Sequence, residues 1–263
     1  MDRQFPSEQM TKYTPADVQE VAEGLKDARD RSRPVSFLTG AGCTSTANIP
    51  NASVLIERIH DKYPKRCARL VGGDRQAYGA CMALLTINER RDLFRPYLEK
   101  AKINWGTIAL AQLIGSGFIG RVFTVNFDLV LENACGLLGL RPAVYDFGVA
   151  PANDPDLVVS PSIIHLHGQS YGLVLLNTEG ETRKHREKLQ PILTDSLRSA
   201  PLVVAGYSGS ADGIVQILLD QFDGSERLYW LGHGDEPADH IKALMGKDYF
   251  QISGWSRFRP LYD

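Results

Sequence analysis

Four short apolar runs each stop at a polar loop, and this pattern constrains the fold more than any other feature of the 263-residue chain. The runs are Val35-Ser-Phe-Leu38, Val122-Phe-Thr-Val125, Ile163-Ile-His-Leu-His167 and Leu202-Val-Val-Ala205. The loops are Thr39-Gly-Ala-Gly-Cys-Thr-Ser45, Thr124-Val-Asn-Phe-Asp128, His165-Leu-His-Gly168 and Gly206-Tyr-Ser-Gly-Ser-Ala-Asp212. Such runs have the length of buried strands, and stretches of helical period separate them. Strands alternating with helices predict an α/β, Rossmann-like, doubly wound parallel sheet. Sheets of this class bind ligands beyond the carboxyl ends of their strands, so four such loops predict one site.

Between the runs, Thr14, Pro15 and Asp17 predict the start of a helix whose stripe is Val18, Val21, Ala22, Leu25 and Ala28. Residues 1–13 read as a lead-in. Further helices are expected over 53–61, 108–114, 129–138, 183–198, about 212–222 and 237–245, the last stopped by Gly246. Gly172–Leu176 reads as an additional strand and Arg227–Leu231 as the last clear one. The segment 62–104 holds ten Lys/Arg against four Asp/Glu and is divided by Gly72-Gly73. It is expected to be a small helical insertion lying over the site, with its charges on a solvated face or on a partner surface. The whole of 1–263 is taken as one domain.

A net charge of -2 gives no reason to expect direct nucleic-acid binding. No apolar run approaches the ~20 residues of a membrane span. The N-terminal residues are polar, so a cytoplasmic protein is expected. Cys43, Cys67, Cys81 and Cys135 form no Cys-x-x-Cys pair, and no metal site is expected.

Each loop has a plain and a chemical reading. Gly40-Ala-Gly42 suits either a simple strand-to-helix turn or a backbone cradle for a pyrophosphate. Asn126 at a strand tip can hold ribose hydroxyls or a water. Asp128 can meet the ligand or cap the following helix. The period of two places His165 and His167 on one side of their strand, with His167 nearer the ligand and suited to base work. Gly206 and Ser208 belong to a second phosphate- or ribose-binding turn, and Gly232-His-Gly234 is a candidate for the far end of the same dinucleotide.

Taken together, these residues resemble the sirtuin (silent information regulator) superfamily. Gly40-Ala-Gly-Cys-Thr-Ser-Thr-Ala-Asn-Ile-Pro50 is similar to its glycine loop, Thr124-Val-Asn-Phe-Asp128 to its Thr-Gln-Asn-x-Asp motif, His167-Gly168 to its His-Gly, and Gly206-Tyr-Ser208 to its Gly-Thr-Ser. Protein-deacetylating members have Asp-Phe-Arg where this chain has Asn51, Ala52 and Ser53, and Gln where it has Val125. They also carry a zinc module of Cys-x-x-Cys pairs.

The remaining pattern is similar to the zinc-free sirtuin-like domains of bacterial anti-phage systems. That resemblance implies NAD as substrate and its hydrolysis to nicotinamide and ADP-ribose, depleting the infected cell. Asn126 and His167 would be catalytic. Gly40, Ala41, Gly42, Thr44, Asp128, Gly206 and Ser208 would bind the cofactor. It further implies activation by homo-oligomerisation or by a defence partner such as an Argonaute-like protein, an ATPase or a sensor module. An NAD-dependent protein deacylase and a non-catalytic sensor of NAD or ADP-ribose derivatives are the alternatives.

Overall fold

Eight strands, all paired in parallel, form one sheet in the order β1-β8-β7-β6-β2-β3-β5-β4. They are β1 (Thr14–Pro15), β2 (Val35–Thr39), β3 (Ile119–Thr124), β4 (Ala143–Asp146), β5 (Ser162–His165), β6 (Leu202–Ala205), β7 (Leu228–Gly232) and β8 (Ser253–Arg257). The computed structural model describes residues 14–15, 18–170, 176, 178–209, 213–232, 237–245 and 253–257. The expected lead-in 1–13, most of the strand Gly172–Leu176, the loop end 210–212, the segment after Gly232 and the stop at Gly246 lie outside them.

From β2 the chain builds outward through β3, β5 and β4; from β6 it builds the other way through β7 and β8. The sheet therefore reverses its order between β2 and β6. Because every pairing is parallel, the carboxyl ends of β6, β2, β3 and β5 line one edge, and each carries one of the four loops.

Alternating residues of each strand enter two separate cores, as the pleat requires. Leu38, Phe123, Ile164 and Val204 pack with α8 (Glu179–Ser199), α9 (Ile214–Gln221) and α10 (Asp239–Met245). Phe37, Val122, Ile163 and Val203 pack on the other face with α1 (Val18–Asp30), α6 (Trp105–Gly115) and α7 (Val130–Leu137). Each fully buried side chain of this size contributes about 1.5–3 kcal/mol relative to exposure, which is why these runs are apolar throughout.

A third core belongs to the insertion. It joins α2 (Ala52–Lys62), α3 (Pro64–Cys67), α4 (Tyr78–Ala83) and α5 (Ile87–Leu98) around Ile59, Cys81, Met82 and Phe94. A Thr86–Glu89 capping box starts α5. Part of the basic charge is structural. Arg66 pairs with Glu89 at 2.9 Å, and the buried Arg90 donates to Met82 O and to Glu181 of α8. Phe94 also meets Phe127 of the second loop, with ring centroids 5.4 Å apart. The helical insertion is thus tied to α8 and to the second loop.

Three expectations need correction. Thr14 and Pro15 do not start α1; they form β1, paired with Gly254 and Trp255. The run Arg227–Leu231 is not the last strand, because β8 follows. And β5 ends at His165, so His167 lies beyond the strand rather than on it.

Candidate active site at the carboxyl edge

The first and fourth loops interlock backbone to backbone. Gly40 N–H donates to Ala205 O, Gly42 N–H to Gly206 O at 2.8 Å, and Cys43 N–H to Gly40 O. A Cβ on Gly40 would sit 2.6 Å from Gly206 O, and one on Gly206 would sit 2.4 Å from Cys43 N. Gly206 also has φ +62°, where a side chain is strained. These glycines are therefore required by contact between the two loops, apart from any ligand. Two of the amides that a phosphate cradle would offer, Gly42 and Cys43, are engaged within the protein. Ala41 and Gly42 are exposed at the start of the short 3₁₀ turn Ala41–Thr44.

Thr44 points inward. Its hydroxyl accepts from Asn126 Nδ2 at 3.2 Å and bonds Asp128. Asn126 Nδ2 also donates to Gly40 O at 3.1 Å. The second loop is thereby pinned to the first, and Asn126 is held against the loop that follows β2. Asp128 is buried; its Oδ1 accepts from Val130 N–H at 3.1 Å, next to the start of α7. Burial raises its carboxyl above the usual range, against the bonds from Val130 and Thr44. Asp128 is not the N-cap itself, which is Leu129; its carboxylate closes a turn onto the first residue of α7. Ser208 is exposed, and its carbonyl accepts from His240 Nε2 at 2.8 Å.

Cys43 is not a nucleophile here. Burial pushes its thiol up to about 11, and Sγ donates to Ala205 O at 3.3 Å.

The two histidines do not share a side. Ile163 belongs to the α7 face and His165 follows the same alternation: its Nε2 meets Glu132 of α7 at 2.5 Å. Its Nδ1 donates to the Asn126 carbonyl at 3.0 Å. A carbonyl only accepts, so Nδ1 carries a proton, and the carboxylate favours a second on Nε2. Burial opposes that charge, yet Glu132 and the Asn126 carbonyl hold the pKa of His165 above its ordinary value. His167 lies past the strand end, before Gly168 at φ +96°, and turns toward His185 of α8 on the opposite face. The period of two fails because the pleat stops at His165.

His167 is 6% exposed, and its Nε2 is buried without a hydrogen-bond partner. Burial, with a smaller contribution from His185, lowers its pKa to about 4, so the ring is neutral at physiological pH. A buried polar atom left open at a strand end is the position where a ligand hydroxyl would complete the bonding. Asn126 and His167 follow the adjacent strands β3 and β5.

Residues without a motif complete this edge. Asn104 Nδ2 donates to Cys43 O and Thr46 Oγ1, fixing the glycine loop from α6. Glu132 orients His165. His185 lies close enough to His167 to act on it, and Asp146 stands beside His165 in the sheet register. His185 alone left a legible signal, a histidine on the apolar stripe of α8 with Leu189 and Ile192. Among the described residues no group of His, Cys, Asp and Glu could hold a metal ion.

Residues 120–250 match the family model of the SIR2-like domain. The match runs from β3 onward, so the glycine loop joins it through the interlocked backbone contacts. No curated protein matches the chain. A solved sirtuin from work on the structural basis of sirtuin substrate affinity aligns with TM-score 0.51 and 15% identity, covering 94% of this chain and 95% of that one. Sir2Tm bound to a propionylated peptide aligns at 0.49 and 16%, covering 92% of each chain. A Sir2–p53 peptide–NAD+ complex aligns at 0.47 and 15%, also covering 92% of each. The first alignment shows a sirtuin-like fold.

Proposed function

We propose that this chain is an NAD glycohydrolase of a bacterial anti-phage defence system, cleaving NAD to nicotinamide and ADP-ribose. The observation that carries this reading is the presence, past the carboxyl ends of the adjacent strands β3 and β5, of an Asn126 side chain fixed by Gly40 O and a buried His167 Nε2 left without a partner. The SIR2-like match supports a dinucleotide substrate.

NAD brings a cationic nicotinamide that leaves as a neutral base, so no general acid is needed. The electron pair of the glycosidic bond departs with the nicotinamide nitrogen, and water supplies the oxygen that replaces it. Asn126, fixed by Gly40 and Thr44, would hold the ribose and orient the water. His167 would accept a proton from a ribose hydroxyl or from the water. With its pKa lowered to about 4 it is a weaker base than one tuned to neutrality, but its lone pair is available throughout the physiological range.

The direct test is nicotinamide release by purified wild type, Asn126→Ala and His167→Ala, with folding followed by circular dichroism. Loss of turnover by roughly 10²–10⁴-fold in each folded variant is expected. Wild-type release from both would refute the assignment. Acyl-ADP-ribose formation only with an acylated peptide would redirect the site to deacylation; tight binding of NAD without turnover would make it a sensor. Activation by self-assembly or by an Argonaute-like, ATPase or sensor partner in the cytoplasm belongs to the same proposal. The assay therefore includes the products of neighbouring genes.

A further inference from the structure

One face of α5 reaches both loops that carry the proposed chemistry. Arg90 and Phe94 stand four residues apart and so lie together on that face. Phe94 meets the ring of Phe127, the residue next to Asn126. Phe127 O in turn accepts from Ser170 N–H at 2.7 Å, in the segment that follows His167. Arg90 meets the far end of the same segment. Its Nη1 donates to both carboxylate oxygens of Glu181, at 2.9 and 3.0 Å, and its Nε donates to Met82 O at 3.0 Å. Glu181 also starts α8: its Oε2 accepts from Thr178 N–H at 3.0 Å, half of the capping box there. Just before Thr178, Leu176 N–H donates to the His167 carbonyl at 2.9 Å.

Resting on the reading of Asn126 and His167 as the catalytic pair, we infer that Arg90 is a positioning residue: through Glu181, and together with Phe94, it sets the placement of His167 relative to Asn126. The Arg90 side chain is buried. A buried ion pair adds little net stability over apolar side chains of the same volume, so its contribution here is a fixed geometry. Arg90 is itself held at Met82 O, and the start of α8 cannot shift along α5 without breaking the bonds to Glu181. Phe94 fixes the other end, since Phe127 lies between α5 and Ser170. Catalysis depends on such spacing, because a displacement of about 1 Å can cost on the order of 10²-fold in rate. The glycine loop is held separately by Asn104, so the effect falls on turnover rather than on the binding of NAD.

The test separates placement from stability. Arg90→Met keeps an apolar stem and removes the bonds to Glu181; Arg90→Lys keeps the charge. For wild type and both variants, kcat and KM for NAD are measured well below the melting temperature, and histidine-resolved NMR follows the ring signals of His167 and His165. In Arg90→Met, kcat is expected to fall roughly 10–100-fold with KM within about twofold, and the His167 signals to move while those of His165 stay. Arg90→Lys, which can still pair with Glu181, is expected to recover part of the turnover; no recovery would place the effect outside the Glu181 link and overturn the proposal. Wild-type kcat and unmoved His167 signals in folded Arg90→Met would overturn it too, leaving Arg90 as a structural tie. If Arg90→Met does not fold, Phe94→Leu decides on the same readouts: a lower kcat with moved His167 signals supports the positioning role, and wild-type values overturn it. A wild type that leaves NAD intact would count against the glycohydrolase reading, while the His167 signals would still decide the positioning.

Discussion

The α7 and α8 sides of β5 treat a histidine in opposite ways. On the α7 side His165 is saturated: both ring nitrogens are bonded, one to the Asn126 carbonyl and one to Glu132. On the α8 side, two residues later, His167 is equally buried but leaves Nε2 open. Saturated buried polar groups fix a structure, whereas an open one keeps bonding capacity for something else. The contrast separates the support of the site from its chemistry, and it assigns His165 to holding Asn126 in place.

His165→Ala should break the supporting side. It strands Glu132 and the Asn126 carbonyl, and the expected cost is roughly 3 kcal/mol of unfolding free energy in urea titration. The corresponding His167→Ala should cost far less stability while losing turnover. A stability loss as large for His167→Ala as for His165→Ala would erase the distinction.

Acid should sharpen it next. His167 has a folded pKa near 4, below the unfolded value of ~6.5. Its neutral burial contributes fully above the unfolded value and is lost as pH falls toward 4, on the order of 2–3 kcal/mol in all. His165 runs the other way: its folded pKa is raised, so its contribution is complete below the unfolded value and declines as pH rises through the folded one. Chemical denaturation from pH 7 to 4 should therefore show a steeper acid loss for wild type than for His167→Gln. Parallel curves for the two would contradict the buried neutral ring.

The smallest effect belongs to the link between the loops. Thr44→Val removes the hydroxyl that joins Asn126 and Asp128, and about 1–2 kcal/mol of stability should go with it. A change in KM for NAD with unchanged kcat would instead place Thr44 in ligand binding, the role its position in the glycine loop first implied.

Much of this was legible from the chain. The runs at Val35, Val122, Ile163 and Leu202 became β2, β3, β5 and β6, because a strand buried on both faces has to be apolar along its length. The loops that follow them do share one edge. Less legible were β1 and β8: two residues at Thr14 and Pro15 have no strand signal of their own and extend only by pairing with Gly254 and Trp255. Glu132 and Asn104 gave no signal either, since an acid and an amide on helices normally face water.

The sequence by itself determined the sheet class, the parallel edge and the polar loops placed on it, since local apolar periods and glycine turns encode these without distant partners. Only the tertiary structure decided what each loop residue does. Gly40 and Gly206 press against each other across 166 residues of chain, and Thr44 turns inward to Asp128. His165 and His167 separate to opposite faces because the pleat ends between them. Those outcomes depend on where hydrogen-bond partners from other elements arrive, which short-range spacing does not encode.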